Sequence, residues 1–330
     1  MSKLPLTIAC DAYDRTQALR CADVQVDGVD LNYLCLPVEE TFHRMVRHRE
    51  FDAAELSLST YVLTLESPDP PFVAIPVFPS RSFRHSAIYI NTNAGIHSPE
   101  DLVGRVIGVP EYQLTANVWV RGILADDYGV AVDSVQYRTG GLHAPGRVEK
   151  AALTLPDSID LEPIPDGRTL SEMLVTGEID ALYTPRAPRC FTEECPEVAR
   201  LFSDYPTVEA DYFRRTGIFP IMHVVVIRRD VHERNRWVVR SLYNAFEESR
   251  RRTMEAIDQT AALRYMLPWL GHEVARTRDI MGSDYWSYGL DNNQETLNQF
   301  VIYAYDQGIT SQLWAPQQLF AAEATDPVIV

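Results

Sequence analysis

The sequence is short of cysteine, of basic residues and of long apolar runs, and each shortage excludes a class of protein. Its five cysteines have no short regular spacing, which argues against a disulfide framework or a zinc ribbon and predicts buried, reduced thiols. Lysine and arginine number 30 against 46 acidic residues, a formal charge of −16, so no nucleic-acid partner is expected. No apolar run approaches the ~18 residues of a membrane-spanning helix, and no secretory signal is recognised. The sequence therefore predicts a cytoplasmic protein without a membrane partner.

The short motifs that hold nucleotides, catalytic zinc or a hydrolase nucleophile are also missing. Neither G-x-G-x-x-G nor the Walker phosphate loop occurs, the eight histidines include no H-E-x-x-H, and there is no G-x-S-x-G. We therefore predict no cofactor and name no metal ligands, while a metal site built from residues distant in the sequence stays open.

What is present is the apolar periodicity of an α/β protein, with the length of roughly two domains. Buried strands are predicted at 6–10, 31–36, 52–58, 87–91, 106–109, 180–184 and 222–228. Helices are predicted at 38–46, after the capping serine Ser98, at 115–124, after the capping box at Thr169, at 239–246 and at 297–305. Residues 140–168, rich in Gly and Pro, are predicted to be irregular.

The order of these elements indicates two lobes followed by a helical C-terminal return. We expect a discontinuous first lobe of residues 1–92 plus 219–330 and a second lobe of residues 93–218. A ligand cleft is predicted between them, because open α/β sheets bind ligands at the ends of their strands.

Six polar segments lie at the ends of predicted strands, and they are rich in Arg, Ser, Thr and His. They are 11–16, 55–60, 80–86, 110–115, 183–189 and 214–223. In a chain of charge −16, arginines collected at such positions favour a small anionic ligand, since a guanidinium binds a carboxylate with two parallel hydrogen bonds.

These segments resemble the 4,5-dihydroxyphthalate decarboxylase family from about residue 6 to residue 320. The resemblance is carried by CDAYDRT at 10–16, SRSFRHS at 80–86, VPEY at 109–112, TANVWVRG at 115–122, TGIFPIMH at 216–223 and MGSDYWSYG at 281–289. It implies a two-lobed fold like that of type II periplasmic binding proteins and a non-oxidative decarboxylation of a hydroxylated aromatic dicarboxylate, above all 4,5-dihydroxyphthalate to protocatechuate and CO2. The segment GGLHAPGR at 140–147 departs from the family pattern, because His143 takes the place of an expected acidic residue.

Decarboxylation of such a ring needs a base for a hydroxyl proton and an acid for the ring carbon. A histidine or a desolvated carboxyl group can do either at neutral pH, and we name His85, His223 and Glu111 as catalytic candidates. Which of them is acid and which is base stays open. For each, the alternative is a structural role: a histidine held beneath a loop, a core histidine on a valine-rich strand, and a carboxylate at a helix start.

The substrate-binding candidates are arginines for the carboxylates and hydroxyls near helix starts. They are Arg15, Ser57, Ser59, Thr60, Arg81, Arg84, Thr115, Arg186 and Arg189. We expect only two or three of the five arginines to touch the ligand, because ion pairing is the commoner role, and capping is the alternative for each hydroxyl.

Two other functions stay open beside the decarboxylase. The first is a non-catalytic binding protein for a small aromatic carboxylate, since folds of this kind bind more often than they catalyse. The second is another lyase or a hydrolase that acts on a related aromatic acid. In each case the partner is a small aromatic carboxylate, and homo-oligomer formation is left open.

Overall fold

The structure is a computed structural model that describes residues 2–150 and 153–325. Within these residues it contains eleven β-strands and twelve α-helices. The strands are β1 (Leu4–Ala9), β2 (Val29–Leu34), β3 (Ala53–Ser57), β4 (Phe72–Ile75), β5 (Ile88–Asn91), β6 (Val106–Val109), β7 (Gln136–Thr139), β8 (Asp160–Pro163), β9 (Ala181–Tyr183), β10 (Val198–Arg200) and β11 (His223–Arg228).

The α-helices vary in length from one turn to five. They are α1 (Gln17–Arg20), α2 (Val38–His48), α3 (Leu58–Thr64), α4 (Thr115–Tyr128), α5 (Leu170–Thr176), α6 (Arg189–Thr192), α7 (Tyr205–Thr216), α8 (Arg229–Arg234), α9 (Val238–Ala256), α10 (Leu270–Met281), α11 (Gln294–Asp306) and α12 (Ala322–Thr325). Short 3-10 turns lie at Asp14–Thr16, His85–Ala87, Pro99–Leu102, Val132–Ser134, Asp291–Asn293 and Pro316–Leu319. Among the described residues, no helix combines the length and the apolar composition needed to cross a bilayer.

The described chain divides into two compact units. Unit 1 takes in the chain up to Arg81, Phe213–Asn298 and the chain from Trp314 onward, and unit 2 takes in Ser82–Tyr212 and Gln299–Leu313. The unit boundaries differ from the predicted lobe boundaries, because residues 82–92 fall in unit 2 and residues 213–218 fall in unit 1. The sequence prediction also placed residues 299–313 in the first lobe. They fall in unit 2 because the Trp119 ring of α4 packs against the rings of Phe300 and Tyr303, with centroids 5.8 and 5.6 Å away.

Unit 1 contains a five-stranded sheet in the order β2-β1-β3-β11-β4. Strand β1 is parallel to β2 and β3, whereas β11 is antiparallel to β3 and β4. In the β3–β11 register, Ser57 lies opposite His223 and Glu55 lies opposite Val225. Side chains alternate along a strand, so Glu55 and His223 are diagonal neighbours on one face of the sheet.

Unit 2 contains a six-stranded sheet in the order β10-β5-β9-β6-β7-β8. Its four last strands are parallel to one another, and β5 is antiparallel to both β9 and β10. One face of this sheet carries a buried cluster that includes Leu142, Leu170, Leu182 and Cys190.

Most of the predicted elements are confirmed. Strand β6 has the predicted bounds, and α5 follows the capping box, in which the Thr169 hydroxyl accepts a hydrogen bond from the Glu172 amide. This helix stops at Gly177, whose φ of 75° lies in the left-handed region that glycine adopts without strain.

Two local predictions were wrong. Residues 140–168 are not wholly irregular, because β8 forms within them; its mostly exposed residues end in Pro163 and have no apolar alternation, so only its pairing with β7 reveals it. The predicted strand 52–58 ends early as well, since the chain turns into α3 at Leu58.

Candidate active site

The centre of unit 1 holds a buried carboxylate whose oxygens are fully engaged. Oε1 of Glu55 lies 2.6 Å from Nδ1 of His223 and accepts a hydrogen bond from the Tyr13 hydroxyl at 2.7 Å. Oε2 accepts from the Asp11 amide at 3.2 Å and from the Cys10 thiol at 3.4 Å. Strand β3 places the carboxylate in the sheet, and β11 brings His223 to it. The residues after β1 supply the Tyr13, Asp11 and Cys10 donors.

The protonation of this cluster follows from burial and from the histidine. Burial alone would raise the pKa of Glu55, but the charge of His223 and the hydrogen bonds from His223, Tyr13 and the Asp11 amide together lower it. The pKa of the Tyr13 hydroxyl is raised, first by burial and then by the Glu55 charge, and the same two causes raise the pKa of the Cys10 thiol. Glu55 is therefore ionised while Tyr13 and Cys10 keep their protons.

The Glu55 carboxylate orients the His223 ring through one of its two nitrogens. An ionised carboxylate only accepts hydrogen bonds, so Nδ1 of His223 carries the proton that faces Glu55, and Nε2 is left for other partners. The side chain remains 18% exposed, and the Phe42 ring meets it edge-on with the centroids 4.9 Å apart. The ring therefore has a fixed orientation and remains partly accessible to solvent.

Arg15 lies next to this cluster between two aromatic rings. Its guanidinium carbon is 4.1 Å from the centroid of Tyr13 and 4.2 Å from that of Trp286. Nε donates to the Pro79 carbonyl at 2.5 Å and Nη1 pairs with Asp14 at 3.1 Å. Among the described residues, Nη2 of Arg15 has no hydrogen-bond partner, so one edge of the guanidinium can still bind an anion.

The other predicted residues of unit 1 are buried around β3 and α3. Ser57, Ser59 and Thr60 are buried, and the hydroxyls of Ser57 and Ser59 are 3.1 Å apart. Arg81 is also buried, and its guanidinium donates to the Phe219 and Ser287 carbonyls.

In unit 2, Glu111 is paired with two cations. Its side chain is almost fully buried in the loop after β6, with Nε of Arg147 at 2.8 Å and Nζ of Lys150 at 2.9 Å from Oε1. Glu149, in the same segment, accepts hydrogen bonds from the Tyr112 amide and from the side chain of Gln113, and burial raises its pKa. Glu111 therefore ties the loop after β6 to residues 147–150.

His85 begins the 3-10 turn before β5, and Arg84 immediately precedes that turn. His85 is 1% exposed, and its ring centroid is 5.3 Å from each of those of Phe202 and Tyr212. Burial lowers the pKa of Arg84 to about 10, against the opposing effect of Glu209. The surroundings of this histidine are thus mainly aromatic.

The remaining predicted residues of unit 2 differ in exposure. Thr115 is buried at the start of α4, whereas Arg186 and Arg189 are exposed. His143 is half-buried, and its pKa is lowered, first by burial and then by the charges of Arg189 and Arg186. Arg186 and Arg189 therefore lie near enough to His143 to disfavour its charged form.

No family model matches the chain, but curated relatives do. A 4,5-dihydroxyphthalate decarboxylase of Comamonas testosteroni is 42% identical over 320 residues, which are 97% of this chain and 97% of that protein. A protein of the same name from Pseudomonas putida is 47% identical over 214 residues, 65% of this chain and 83% of that protein. The chain belongs to the 4,5-dihydroxyphthalate decarboxylase family.

Solved structures show the fold that this family member adopts. The periplasmic sulfonate-binding protein SsuA of Methylobacillus flagellatus matches with a TM-score of 0.54 and 13% identity, over 98% of this chain and 93% of that one. The aliphatic sulphonate binding protein SsuA of Escherichia coli matches with a TM-score of 0.53 and 13% identity, over 97% and 98%. The predicted type II periplasmic-binding-protein-like fold is therefore confirmed.

The sequence reasoning missed the two groups that organise His223 in this decarboxylase-family chain. Glu55 and Tyr13 both lay in segments marked as polar, yet neither was named as a site residue. The available signal was the acidic residue at the middle of β3, whose five residues are all buried. A buried carboxylate must be paired or hydrogen-bonded, which makes such a residue a site candidate.

Metal sites in proteins are built from clusters of His, Cys, Asp or Glu side chains. In the part of the chain that the structure describes, no group of three or more such side chains is arranged to hold an ion. The predicted absence of a cofactor stays a prediction, and no metal ligand is named.

Proposed function

We propose that the protein is a carboxy-lyase that removes CO2 from 4,5-dihydroxyphthalate and releases protocatechuate. The 42% identity to the Comamonas testosteroni decarboxylase over 97% of the chain supports this activity. The mechanism is carried by one observation, the 2.6 Å contact between Oε1 of Glu55 and Nδ1 of His223. This contact orients an imidazole and leaves its second nitrogen for proton transfer.

The reaction replaces a ring carboxylate by a proton. A base takes the proton of the hydroxyl para to the leaving group, and the ring carbon that bears the carboxylate accepts a proton. The bond from that carbon to the carboxylate then breaks, its electron pair restores the aromatic ring, and CO2 departs as the phenol is reprotonated. The dianionic substrate plus one proton gives the protocatechuate anion plus CO2, with no net oxidation or reduction.

Three residues of unit 1, His223, Glu55 and Arg15, have roles in this scheme. Nε2 of His223 delivers the proton to the ring carbon, and the ionised Glu55 stabilises the imidazolium form that precedes the transfer. The free edge of the Arg15 guanidinium binds a substrate carboxylate. Glu111 stays predicted as the second proton-handling group, whereas the aromatic surroundings of His85 favour a packing role. Arg84, Arg186, Arg189 and the predicted hydroxyls stay predicted ligand contacts.

The first experiment is a decarboxylation assay of the purified protein in D2O with 4,5-dihydroxyphthalate. We expect CO2 release and protocatechuate with one deuterium on the ring carbon that lost the carboxylate. The variant His223→Asn should lose about 10²- to 10⁴-fold in kcat, the usual contribution of a general acid or base.

A matched control is available in the same unit. His232 also lies beside a carboxylate, with Nε2 3.2 Å from Oε2 of Glu323, and it belongs to α8 rather than to the candidate site. The variant His232→Asn should keep turnover within about threefold. Equal loss in the two variants would contradict the assignment of His223.

The rival functions are separated by the same assay. If CO2 is not released but 4,5-dihydroxyphthalate raises the melting temperature, the protein is a binding protein for an aromatic carboxylate rather than a decarboxylase. Turnover of a different aromatic acid would indicate the related lyase or hydrolase. Action in the cytoplasm, without a nucleic-acid partner and with homo-oligomer formation left open, stays part of this proposal.

A further inference from the structure

Arg81 is a buried cation whose partners are neutral. It is 7% exposed, and among the described residues it forms no ion pair with a carboxylate. Nη1 donates to the Phe219 carbonyl at 3.2 Å, and Nη2 donates to the Ser287 carbonyl at 2.8 Å and to the Asn293 side chain. Burial lowers the pKa of Arg81 to about 9, because desolvation at this position disfavours the charged form of the guanidinium. These bonds occupy the two terminal nitrogens that would otherwise bind a substrate carboxylate.

The chain segments that Arg81 joins also hold Arg15. The indole Nε1 of Trp286 donates to the Phe78 carbonyl at 3.1 Å, and its ring covers the Arg15 guanidinium at 4.2 Å. On the other side, Nε of Arg15 donates to the Pro79 carbonyl at 2.5 Å. The Phe219 ring meets Trp286 edge-on, with centroids 5.5 Å apart. Residues 78–81 and 286–287 thus hold Arg15 from two directions.

Asn293 strengthens the connection on the side of residues 286–289. Its Nδ2 donates to the Ser287 carbonyl at 3.2 Å and to the Gly289 carbonyl at 2.8 Å, while its Oδ1 accepts from Arg81. A planar guanidinium with several donors at fixed angles can bind these acceptors and the Phe219 carbonyl at once, which a lysine ammonium on a flexible stem does poorly. The identity of Arg81 therefore matters beyond its charge.

We propose that Arg81 is a positioning residue that holds Trp286 through Ser287 and thereby keeps the Arg15 guanidinium oriented toward a substrate carboxylate. This inference rests on the proposed function, in which Arg15 binds that carboxylate. It assigns Arg81 no contact with the substrate.

A double-mutant cycle between Arg81 and Arg15 tests the proposal with 4,5-dihydroxyphthalate as the probe. Arg15→Gln should lower kcat/KM about 100-fold, and Arg81→Met should lower it about tenfold, almost entirely through KM. If Arg81 acts through Arg15, the double variant should equal Arg15→Gln alone within about twofold. The kcat/KM of Arg81→Lys should lie between those of the wild type and Arg81→Met, because lysine keeps the positive charge but lacks the planar set of guanidinium donors.

Two further variants separate positioning from folding. Arg229 is a matched control in unit 1, because it too donates to backbone carbonyls, those of Pro70 and Phe72, and it is not joined to Arg15. Arg229→Met should leave KM within about twofold of the wild type. If Arg81→Met does not fold, Asn293→Ala is used instead. It removes the Asn293 hydrogen bonds to Arg81 and to the Ser287 and Gly289 carbonyls, and it should raise KM about threefold.

The outcomes distinguish this proposal from the proposed function. Additive losses, about 1000-fold in the double variant, or an unchanged KM in folded Arg81→Met would overturn the positioning role while the decarboxylase stands. If the wild type shows no turnover, the decarboxylase fails, and the cycle is repeated on the Kd for 4,5-dihydroxyphthalate by calorimetry, with the same pattern expected. Absence of both turnover and binding would overturn both.

Discussion

His223 in unit 1 and His85 in unit 2 lie in contrasting surroundings. His223 contacts an ionised carboxylate and keeps 18% exposure of its side chain, whereas His85 is 1% exposed and packs against the rings of Phe202 and Tyr212. A general acid needs both a fixed orientation and access to its substrate. The geometry of His223 meets both needs, while that of His85 favours packing.

Two buried glutamates differ in a parallel way. Glu55 is bonded by neutral donors and one histidine inside the sheet of unit 1, and Glu111 is bonded by Arg147 and Lys150, whose side chains remain partly exposed. Loss of Glu111 leaves cations that can turn toward water. Loss of Glu55 leaves the buried Cys10 thiol and the Asp11 amide, whose positions the backbone after β1 fixes.

The largest expected effect comes from one substitution made at both histidines. His223→Phe should lower kcat by about 10²- to 10⁴-fold, because no proton can be delivered. His85→Phe keeps an aromatic ring of similar size against Phe202 and Tyr212, so it should keep kcat within about threefold and change the free energy of unfolding by less than about 1.5 kcal/mol. Steady-state kinetics and urea unfolding measure both. A folded His85→Phe enzyme without activity would reverse the comparison.

The next effect is on stability, with one substitution at the two glutamates. Glu55→Gln places an amide N–H₂ among donors that pointed at a carboxylate, and it should lower the free energy of unfolding by about 3 kcal/mol. Glu111→Gln should cost about 1 kcal/mol, because Arg147 and Lys150 are partly solvated. Urea denaturation at pH 7 gives both values, and equal costs would remove the distinction.

The smallest effect is a difference in how stability depends on pH. The pKa of Glu55 is lowered in the folded state, so its stabilisation is complete above the ordinary carboxyl pKa of about 4.3 and is lost as the pH falls through the lowered value. The cost of Glu55→Gln should therefore shrink on acidification.

Glu209 in unit 2 should behave in the opposite sense. It accepts a hydrogen bond from the Ser86 amide, and burial raises its pKa. Stability is then lost as the pH rises from the ordinary carboxyl pKa to the raised one, so Glu209→Gln should stabilise the protein more at pH 7 than at pH 4. Unfolding curves at the two pH values test both signs, and parallel pH slopes for the two variants would contradict this difference between the units.

Local patterns in the sequence predicted those elements that are stabilised by interactions between residues close together in the sequence. The capping box at Thr169, the glycine at 177 and the apolar stripe of α4 are visible because each involves residues within a few positions of one another. Strand β8 was missed because its residues are mostly polar and exposed, and only the hydrogen bonds to β7 hold them in a strand.

The candidate site was predicted in part. His223 and Arg15 were named from polar segments at strand ends, together with His85, but the same reasoning missed Glu55 and Tyr13. Side-chain type and position at a strand end do not say whether a histidine will meet a carboxylate or an aromatic ring. That depends on which elements pack against it.

The sequence by itself therefore determined the fold class, the family and the collection of arginines and hydroxyls suited to an aromatic carboxylate. Only the tertiary structure decided which of these groups meet. Glu55 and His223 are 168 residues apart, and they lie side by side because β11 pairs with β3 in one antiparallel register. A one-residue shift would move either side chain to the other face of the sheet, so the site exists only through long-range pairing.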